Sequence, residues 1–338
     1  MQLIINVIIF LAGFALLAKG ANSFVKSASI IAKKIGISEF IIGLTLVAIG
    51  TSLPELASTI IASLKGQSGI VLGQVIGSNI ANIGIIGLIV LVFGSIEIKK
   101  EMVKRDGYIM VFTMILFVIL AFNHQLGKIT GIIFLSIFII YFLFIIDTKK
   151  KTNKKYFSDF VKYFIEFKYL KSIKKKISRN QNQKSKKNIS KEILVLVLSG
   201  IAIFIGAKAI VEQTIFFGDY FNISKTIISL TVIALGTSLP ELGVTISAIK
   251  NKMESIAVGN IIGSSIANIL LIIGVSSIIS PIQTNPSVIY TGIFMIFISA
   301  GLLITMAKDW KIKRYEGAIL FALYILFIIS IIFFRKGF

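Results

Sequence analysis

The chain has 338 residues, 56% of them hydrophobic, with a mean hydropathy of +0.92 and only 15% charged residues, against about 25% in an ordinary soluble domain. That much apolar surface with so few polar groups excludes a soluble enzyme, a disordered protein and a nucleic-acid module, and points to an all-α polytopic membrane protein. The net charge of +21 is concentrated in residues 148–192, where sixteen Lys and Arg stand against Asp159, Glu166 and Glu192, while zero cysteines and a single histidine, His124, remove thiolate and histidine-based metal centres.

Ten apolar segments approach or exceed the roughly 20 residues that a helix needs to cross a bilayer. The first, roughly 3–22, has no basic n-region and no cleavage site, and reads as a retained helix rather than a signal peptide. The second, roughly 38–63, carries Glu55 in mid-segment; the third covers roughly 70–94. A short fourth at roughly 107–122 and a fifth at roughly 129–147 close the first half. After the basic stretch come segments at roughly 193–213, 226–249, 255–280, 288–306 and 315–334, the seventh holding Glu241. The chain therefore divides into a five-helix unit (1–147), a basic loop (148–192) and a second five-helix unit (193–338).

Lys and Arg counts in alternate loops set the orientation. The loops after segments 1, 3, 5, 7 and 9 hold Lys26, Lys33 and Lys34; Lys99, Lys100, Lys104 and Arg105; the sixteen; Lys250 and Lys252; and Lys308, Lys311, Lys313 and Arg314. The opposite set holds only Lys65, Lys128 and Lys225, with Arg335 and Lys336 in the tail. The rich set is expected to be cytoplasmic, both termini outside, and the basic loop to lie against anionic lipid. A Tyr/Phe-containing stretch such as 156–176 is expected to form an interfacial helix there.

The chain repeats itself. Residues 44–87 align with 230–273 at a constant offset of 186 without a gap, with 23 identities in 44 positions. The shared blocks are Gly50-Thr51-Ser52-Leu53-Pro54-Glu55 with Gly236-Thr237-Ser238-Leu239-Pro240-Glu241, and Gly77-Ser78 and Ile80-Ala81-Asn82 with Gly263-Ser264 and Ile266-Ala267-Asn268. Five helices per half is an odd number, so the second half enters the membrane from the opposite side. The expected fold is ten transmembrane helices as two inverted five-helix repeats, an architecture of alternating-access carriers.

The chemistry concentrates on Glu55 and Glu241. An ionised side chain at mid-membrane costs about 2.5–3.5 kcal/mol even on a lenient insertion scale. No cation lies near either in its own segment, so each must be protonated, pair with a cation from another helix (Lys19 and Lys208 are the candidates) or have a transported cation as counter-charge. Proline before each Glu removes a backbone donor and breaks the helix, which is expected to free carbonyls around Ala48 and Thr51, and around Ala234 and Thr237. Thr51 shares a helical face with Glu55, and Thr237 with Glu241. Carboxylate, carbonyl and hydroxyl oxygens are what a hard cation requires. Ser78 with Asn82, and Ser264 with Asn268, present further oxygens one turn apart, unless they serve only as polar glue between helices. His124 is expected in a solvated loop, and Trp310 and Tyr315 at the interface. There is no phosphate-cradling Gly-x-x-x-x-Gly-Lys-Ser/Thr loop, hence no ATP site, and no cofactor is called for.

With these motifs in view, the chain resembles the cation/calcium exchanger superfamily, specifically prokaryotic sodium/calcium exchangers. The resemblance implies segments 2, 3, 7 and 8 around the ions and segments 1 and 6 sliding across them. By motif match it implies calcium held by Thr51, Glu55, Thr237 and Glu241, with Ala48, Ser52, Ser78, Ala234, Ser238 and Ser264 added for sodium and Asn82 and Asn268 as accessory groups. Some members carry Asp where this chain has Asn268, so the core here has two carboxylates. The expected activity is exchange of sodium for calcium across the cell membrane. The rivals are proton/cation antiport through the same glutamates and, in another class, a cation channel. A membrane enzyme is the weakest reading, for lack of a nucleophile–base pair.

Overall fold

The computed structural model describes residues 2–34, 48–148, 157–165, 190–250 and 252–333. In chain order the elements are α1 (Gln2–Lys34), α2 (Ala48–Thr51), α3 (Leu53–Leu64), α4 (Ser68–Phe93), β1 (Ile96–Glu97), α5 (Tyr108–Ala121), β2 (Gln125–Leu126), α6 (Lys128–Thr148) and α7 (Phe157–Ile165). There follow α8 (Ser190–Phe221), α9 (Ala234–Thr237), α10 (Leu239–Lys250), α11 (Glu254–Ala267), α12 (Gly274–Ile279), β3 (Ile282–Gln283), α13 (Pro286–Asp309), β4 (Lys311–Ile312) and α14 (Arg314–Phe333). A helical lead-in, Lys100–Met102 then a π-turn at Val103–Gly107, runs into α5; Lys225–Ile228 and a π-turn at Ser229–Ile233 run into α9; a third π-turn, Asn268–Ile273, joins α11 to α12.

Among the described residues seven helices are long and apolar enough to cross a membrane, or eight when the bent pair Lys225–Thr237 and Leu239–Lys250 counts as one span. The two expected segments outside that set are the second, whose first ten residues fall outside the described ones, and the short fourth, where α5 has 14 residues behind its π-turn lead-in. α4 and the run Glu254–Ile279 are the two most buried spans; α1, α6, α8 and α14 leave most of their surface outward. Continuous apolarity without a polar face is the signature of a helix with lipid on one side and protein on the other.

α1 and α8 pack along one another. Their crossing uses Gly20 and Gly206, which are 186 residues apart: a Cβ on Gly206 would lie 2.7 Å from the Gly13 carbonyl, and one on Gly20 3.1 Å from that of Ser199. Small residues at such points let helix backbones meet and gain dispersion energy where hydrophobic transfer contributes nothing.

The 186-residue offset reaches well beyond the aligned block. β1 pairs with β4 through Ile96–Ile312 and Glu97–Lys311, and β2 pairs with β3 through Leu126–Ile282 and Gln125–Gln283. Each ladder joins the two halves, and each maps onto the other under the offset. Gly66 and Lys252 both take a left-handed turn, as do His124 and Trp310. The Trp310 carbonyl accepts from Ile98 N (2.7 Å) and that of His124 from Thr284 N (2.9 Å), again equivalent positions. His124 is exposed, as expected; Trp310 carries Lys100 and Lys104 over its ring at 5.0 and 5.8 Å.

Within the basic stretch, α7 docks its aromatic face on the helices beside it. Phe160 meets Tyr141 and Phe144, Tyr163 meets Phe144, and Phe157 meets Phe112, while Phe164 and Ile165 stay exposed. Beneath it, buried Asp106 accepts two bonds from Arg105 (2.8 and 2.7 Å) and one from Tyr141 Oη (3.2 Å). The rest of the 148–192 loop lies outside the described residues, save for Thr148 and the start of α8.

Candidate ion-binding site

Two broken helices build the centre. α2 ends at Thr51 and α3 begins at Leu53, with Ser52 (φ −85°, ψ 5°) as the joint and Pro54 in the first turn of α3. The second break repeats this at Ser238 (φ −82°, ψ 5°), with a bend of 40° between the flanking pieces. Proline tolerates only the first turn of a helix, where its missing N–H has no intrahelical partner to lose. Each Leu-Pro-Glu therefore starts a new helix, and Glu55 and Glu241 fall in first turns, where the helix dipole favours negative charge. α1 lies against both joints: a Cβ on Gly50 would strike Val25, and one on Gly236 would strike Phe14.

The two carboxylates are each only 1% exposed. Their contacts cross between the halves. Ser238 Oγ donates to Glu55 Oε1 at 3.3 Å, and Ser52 Oγ donates to Glu241 Oε1 at 3.5 Å. Ser264 Oγ adds a bond to Glu241 Oε1 at 3.4 Å. The Thr51 hydroxyl donates to Asn260 Oδ1 at 3.4 Å, and Gln74 Nε2 donates to the Thr237 hydroxyl at 3.4 Å. Thr59 and Thr245 hydroxyls fix the glutamate main-chain carbonyls at 2.8 and 2.6 Å.

Among the buried oxygens without a hydrogen-bond partner, five belong to residues of the expected site: Glu55 Oε2, Glu241 Oε2, Ser78 Oγ, Asn82 Oδ1 and Asn268 Oδ1. Leaving such groups unpaired costs about 1–3 kcal/mol each, more when charged. A hard cation is the partner that such oxygens suit, since it takes carboxylate, amide and hydroxyl oxygens. Among the described residues no group of three or more His, Cys, Asp or Glu could hold a metal; the donor set here is two carboxylates among neutral oxygens.

Direct contacts join Thr51, Ser264, Glu241 and Ser52 in one group and Ser238 with Glu55 in another, and Thr237 is held by Gln74. Ser78 and Asn82 lie on buried α4, and Asn268 starts the π-turn after α11. Ala48 opens α2 and Ala234 opens α9. The expectation of a freed carbonyl at Ala234 needs amending, because that oxygen already accepts the Ser238 N–H at 3.1 Å and the Thr237 hydroxyl at 3.4 Å. Lys19 and Lys208, the candidates for pairing with the glutamates, are both exposed. Three residues escaped the sequence reading: Gln74, Asn260 and Asn79. Gln74 and Asn260 align at the common offset and carry an amide in both halves, a signal that was available; Asn79 has Ser265 as its counterpart and gave none.

Two broken helices whose joints meet around buried carboxylates and neutral oxygens, in a chain of apolar spans, mark a membrane ion transporter. The family model described as sodium/calcium exchanger protein matches residues 5–146 and 191–333, and the chain belongs to that family. It is 45% identical over 342 aligned residues to "Sodium/calcium exchanger MaX1" of Methanosarcina acetivorans, covering 96% of this chain and 98% of that protein. It is 31% identical to "Inner membrane protein YrbG" of Escherichia coli, over 82% of this chain and 81% of that one. A solved structure of the sodium-calcium exchanger NCX_Mj, soaked with 2.5 mM Na+ and 0.1 mM Ca2+, superposes with a TM-score of 0.61 at 29% identity, over 97% of this chain and 98% of that one.

Proposed function

We propose that the chain is a secondary antiporter that exchanges Na+ for Ca2+ by alternating access, with calcium export where the sodium gradient points inward. It is a transporter by family and not an enzyme. One observation carries the site: Glu55 and Glu241, buried in mirrored motifs, take hydrogen bonds from each other's serine and each keep an unpartnered oxygen. In this reading Thr51, Glu55, Thr237 and Glu241 hold calcium. Ser52, Ser78, Ser238, Ser264 and the carbonyls at Ala48 and Ala234 complete the sodium positions, with Asn82 and Asn268 accessory. The carboxylates carry a formal charge of −2, which one Ca2+ or two Na+ neutralise. A third Na+ leaves +1, and moving that charge is worth about 2.3 kcal/mol per 100 mV.

The architecture we propose is ten spans in two inverted five-helix halves, 1–147 and 193–338, joined by the basic loop. The offset of 186 supports it, because it relates the two ladders, the left-handed turns and the two breaks. Both termini are placed outside and the 148–192 loop in the cytoplasm, on anionic lipid, with Phe164 and Ile165 of α7 as apolar contacts. A cleft of about 500 Å³ beside Pro240 reaches Met253 and Ile256; in this orientation it is the cytoplasmic access route.

Calcium-45 uptake into proteoliposomes with sodium and proton gradients imposed separately tests the coupling. Uptake driven by Na+ alone is expected; uptake driven only by a proton gradient would assign the glutamates to protons. External labelling of a Cys introduced at Ser185 in intact cells would overturn the orientation.

A further inference from the structure

A polar chain leads from Asn268, at the start of the π-turn after α11, to a sulfur atom. Asn268 Nδ2 donates to Asn79 Oδ1 at 3.2 Å, and Asn79 Nδ2 donates to Met295 Sδ at 3.5 Å. All three side chains are buried, and Asn268 Oδ1 has no partner. Asn268 lies one turn beyond Ser264, which bonds Glu241, so its side chain belongs to the same face of the helix as the site.

A side-chain amide has a donor end and an acceptor end, and only the acceptor end serves a cation. An asparagine in a cation site is therefore useful in one orientation and repulsive in the other. A thioether sulfur accepts and never donates. It requires the NH2 end of Asn79 to face Met295, which turns the Asn79 carbonyl toward Asn268. That carbonyl in turn requires the NH2 end of Asn268, which leaves Asn268 Oδ1 for the ion. Turning the Asn268 amide over would set two carbonyls against each other, and turning both amides would set a carbonyl against the sulfur. Asn82, the counterpart of Asn268, lies within an unbroken helix, whereas Asn268 begins a π-turn, a local distortion common at functional sites.

We infer that Asn79 is a positioning residue, polarised by Met295, that fixes the Asn268 amide with its oxygen toward the transported cation. The inference rests on the two-glutamate reading of the site. A carboxylate at position 268 presents an oxygen in either orientation, so it makes the relay unnecessary.

The experiment compares Asn79→Ser, the residue found at the counterpart position 265, alone and together with Asn268→Asp. The readouts are Na+- and Ca2+-dependent shifts in melting temperature of the purified protein, with calcium-45 flux in proteoliposomes alongside. In the Asn268 background Asn79→Ser is expected to raise the half-saturating cation concentration about three- to tenfold, the range one lost hydrogen bond gives. In the Asn268→Asp background the same substitution is expected to weaken binding not at all. An equal loss in both backgrounds, the behaviour of a packing residue, overturns the inference, as does no loss in either. Should Asn268→Asp fail to fold, Met295→Leu carries the test, because it keeps the volume and removes only the acceptor. Weaker cation binding at an unchanged ion-free melting temperature is then expected, and unchanged binding overturns the relay. Glu55→Gln is the control: if it leaves calcium binding intact, the site reading has failed; if it abolishes binding while Asn79→Ser has no effect, the relay alone has failed.

Discussion

The same hexapeptide, Gly-Thr-Ser-Leu-Pro-Glu, is housed differently in the two halves. After the first break, α3 buries Pro54, Glu55, Ser58, Thr59, Ile61, Ala62 and Ser63, packed against α4 and α8. After the second, α10 buries only Glu241, Thr245 and Ala248, and Leu239 is 55% exposed beside the cleft between α10 and α1. α8 covers α3, but α1 stands away from α10. The neighbouring helices differ too: α4 runs unbroken from Ser68 to Phe93, while its counterpart is interrupted at Asn268. Two nearly identical motifs thus occupy a sealed and an open environment at once. A carrier with one access route open at a time needs this inequality, and exchanging the two environments reverses the route without altering the site.

The strongest challenge to the comparison is at the shared centre. Glu55→Gln and Glu241→Gln are each expected to lower calcium flux at least about 100-fold with the fold retained, because a divalent ion in a dry site then lacks a full counter-charge. Flux and melting temperature measured together check this. The two losses should agree within a few-fold if the halves contribute equally at the ion, whatever their surroundings.

Next in size is a packing test at Ile61 and its counterpart Ser247. Ile61 is 5% exposed and Ser247 is exposed. Ile61→Ser is expected to cost about 2–4 kcal/mol, the range for truncating a buried aliphatic side chain. Ser247→Ala should stay within about 0.5 kcal/mol, as surface substitutions do. Equal destabilisation in denaturant titrations would erase the claimed asymmetry. The absence of native cysteine permits a third test. Gly243→Cys is expected to react with a water-soluble maleimide at least about tenfold faster than Ala57→Cys, with Ca2+ slowing the former through closure of the cleft.

The smallest effect concerns Lys65 and Glu212, which pair at 2.8 Å between the end of α3 and α8. Their counterparts under the offset are Asn251 and Lys26, which cannot form an ion pair. Both partners are partly exposed, so Glu212→Gln should shift the balance between the two access states by about 0.2–1 kcal/mol, and less in high salt. A ratio of Gly243→Cys to Ala57→Cys labelling that does not move with this substitution would separate the ion pair from the asymmetry.

Much of this was legible in the residues. Glu55 and Glu241 stand out because an unpaired carboxylate in an apolar run has few tolerable explanations, and the offset of 186 turned one motif into two that meet. The cross-pairing of Ser52 with Glu241 and Ser238 with Glu55 was hidden, because residues nearly 190 apart meet only through the way the halves interlock. Asn79 was hidden for the opposite reason: its counterpart is Ser265, and the repeat that highlighted other positions passed over it. The carbonyl expected to be free at Ala234 shows a further limit. The donor that Pro240 lacks would have gone to Gly236, four residues back, so the Ala234 carbonyl keeps its ordinary helical partner, the Ser238 N–H. Ile61 against Ser247 did carry the environmental difference in the alignment, yet one apolar-to-polar change among many could not be singled out without the cleft.

The two short ladders between the halves have a mechanical consequence. Each is a two-residue clip, and together they fasten the loop before the α5 lead-in to the loop before α14, and the loop before α6 to the loop before α13. Two clips at separate points remove the freedom of the halves to rock apart as whole bodies. α1 and α8 take no part in either clip; they lie along each other on the glycine crossing and reach the rest of the protein through side-chain contacts, among them the Lys65–Glu212 pair. We propose that the clipped helices act as a riveted chassis and that α1 and α8 are the pair that slides over it in each transport cycle.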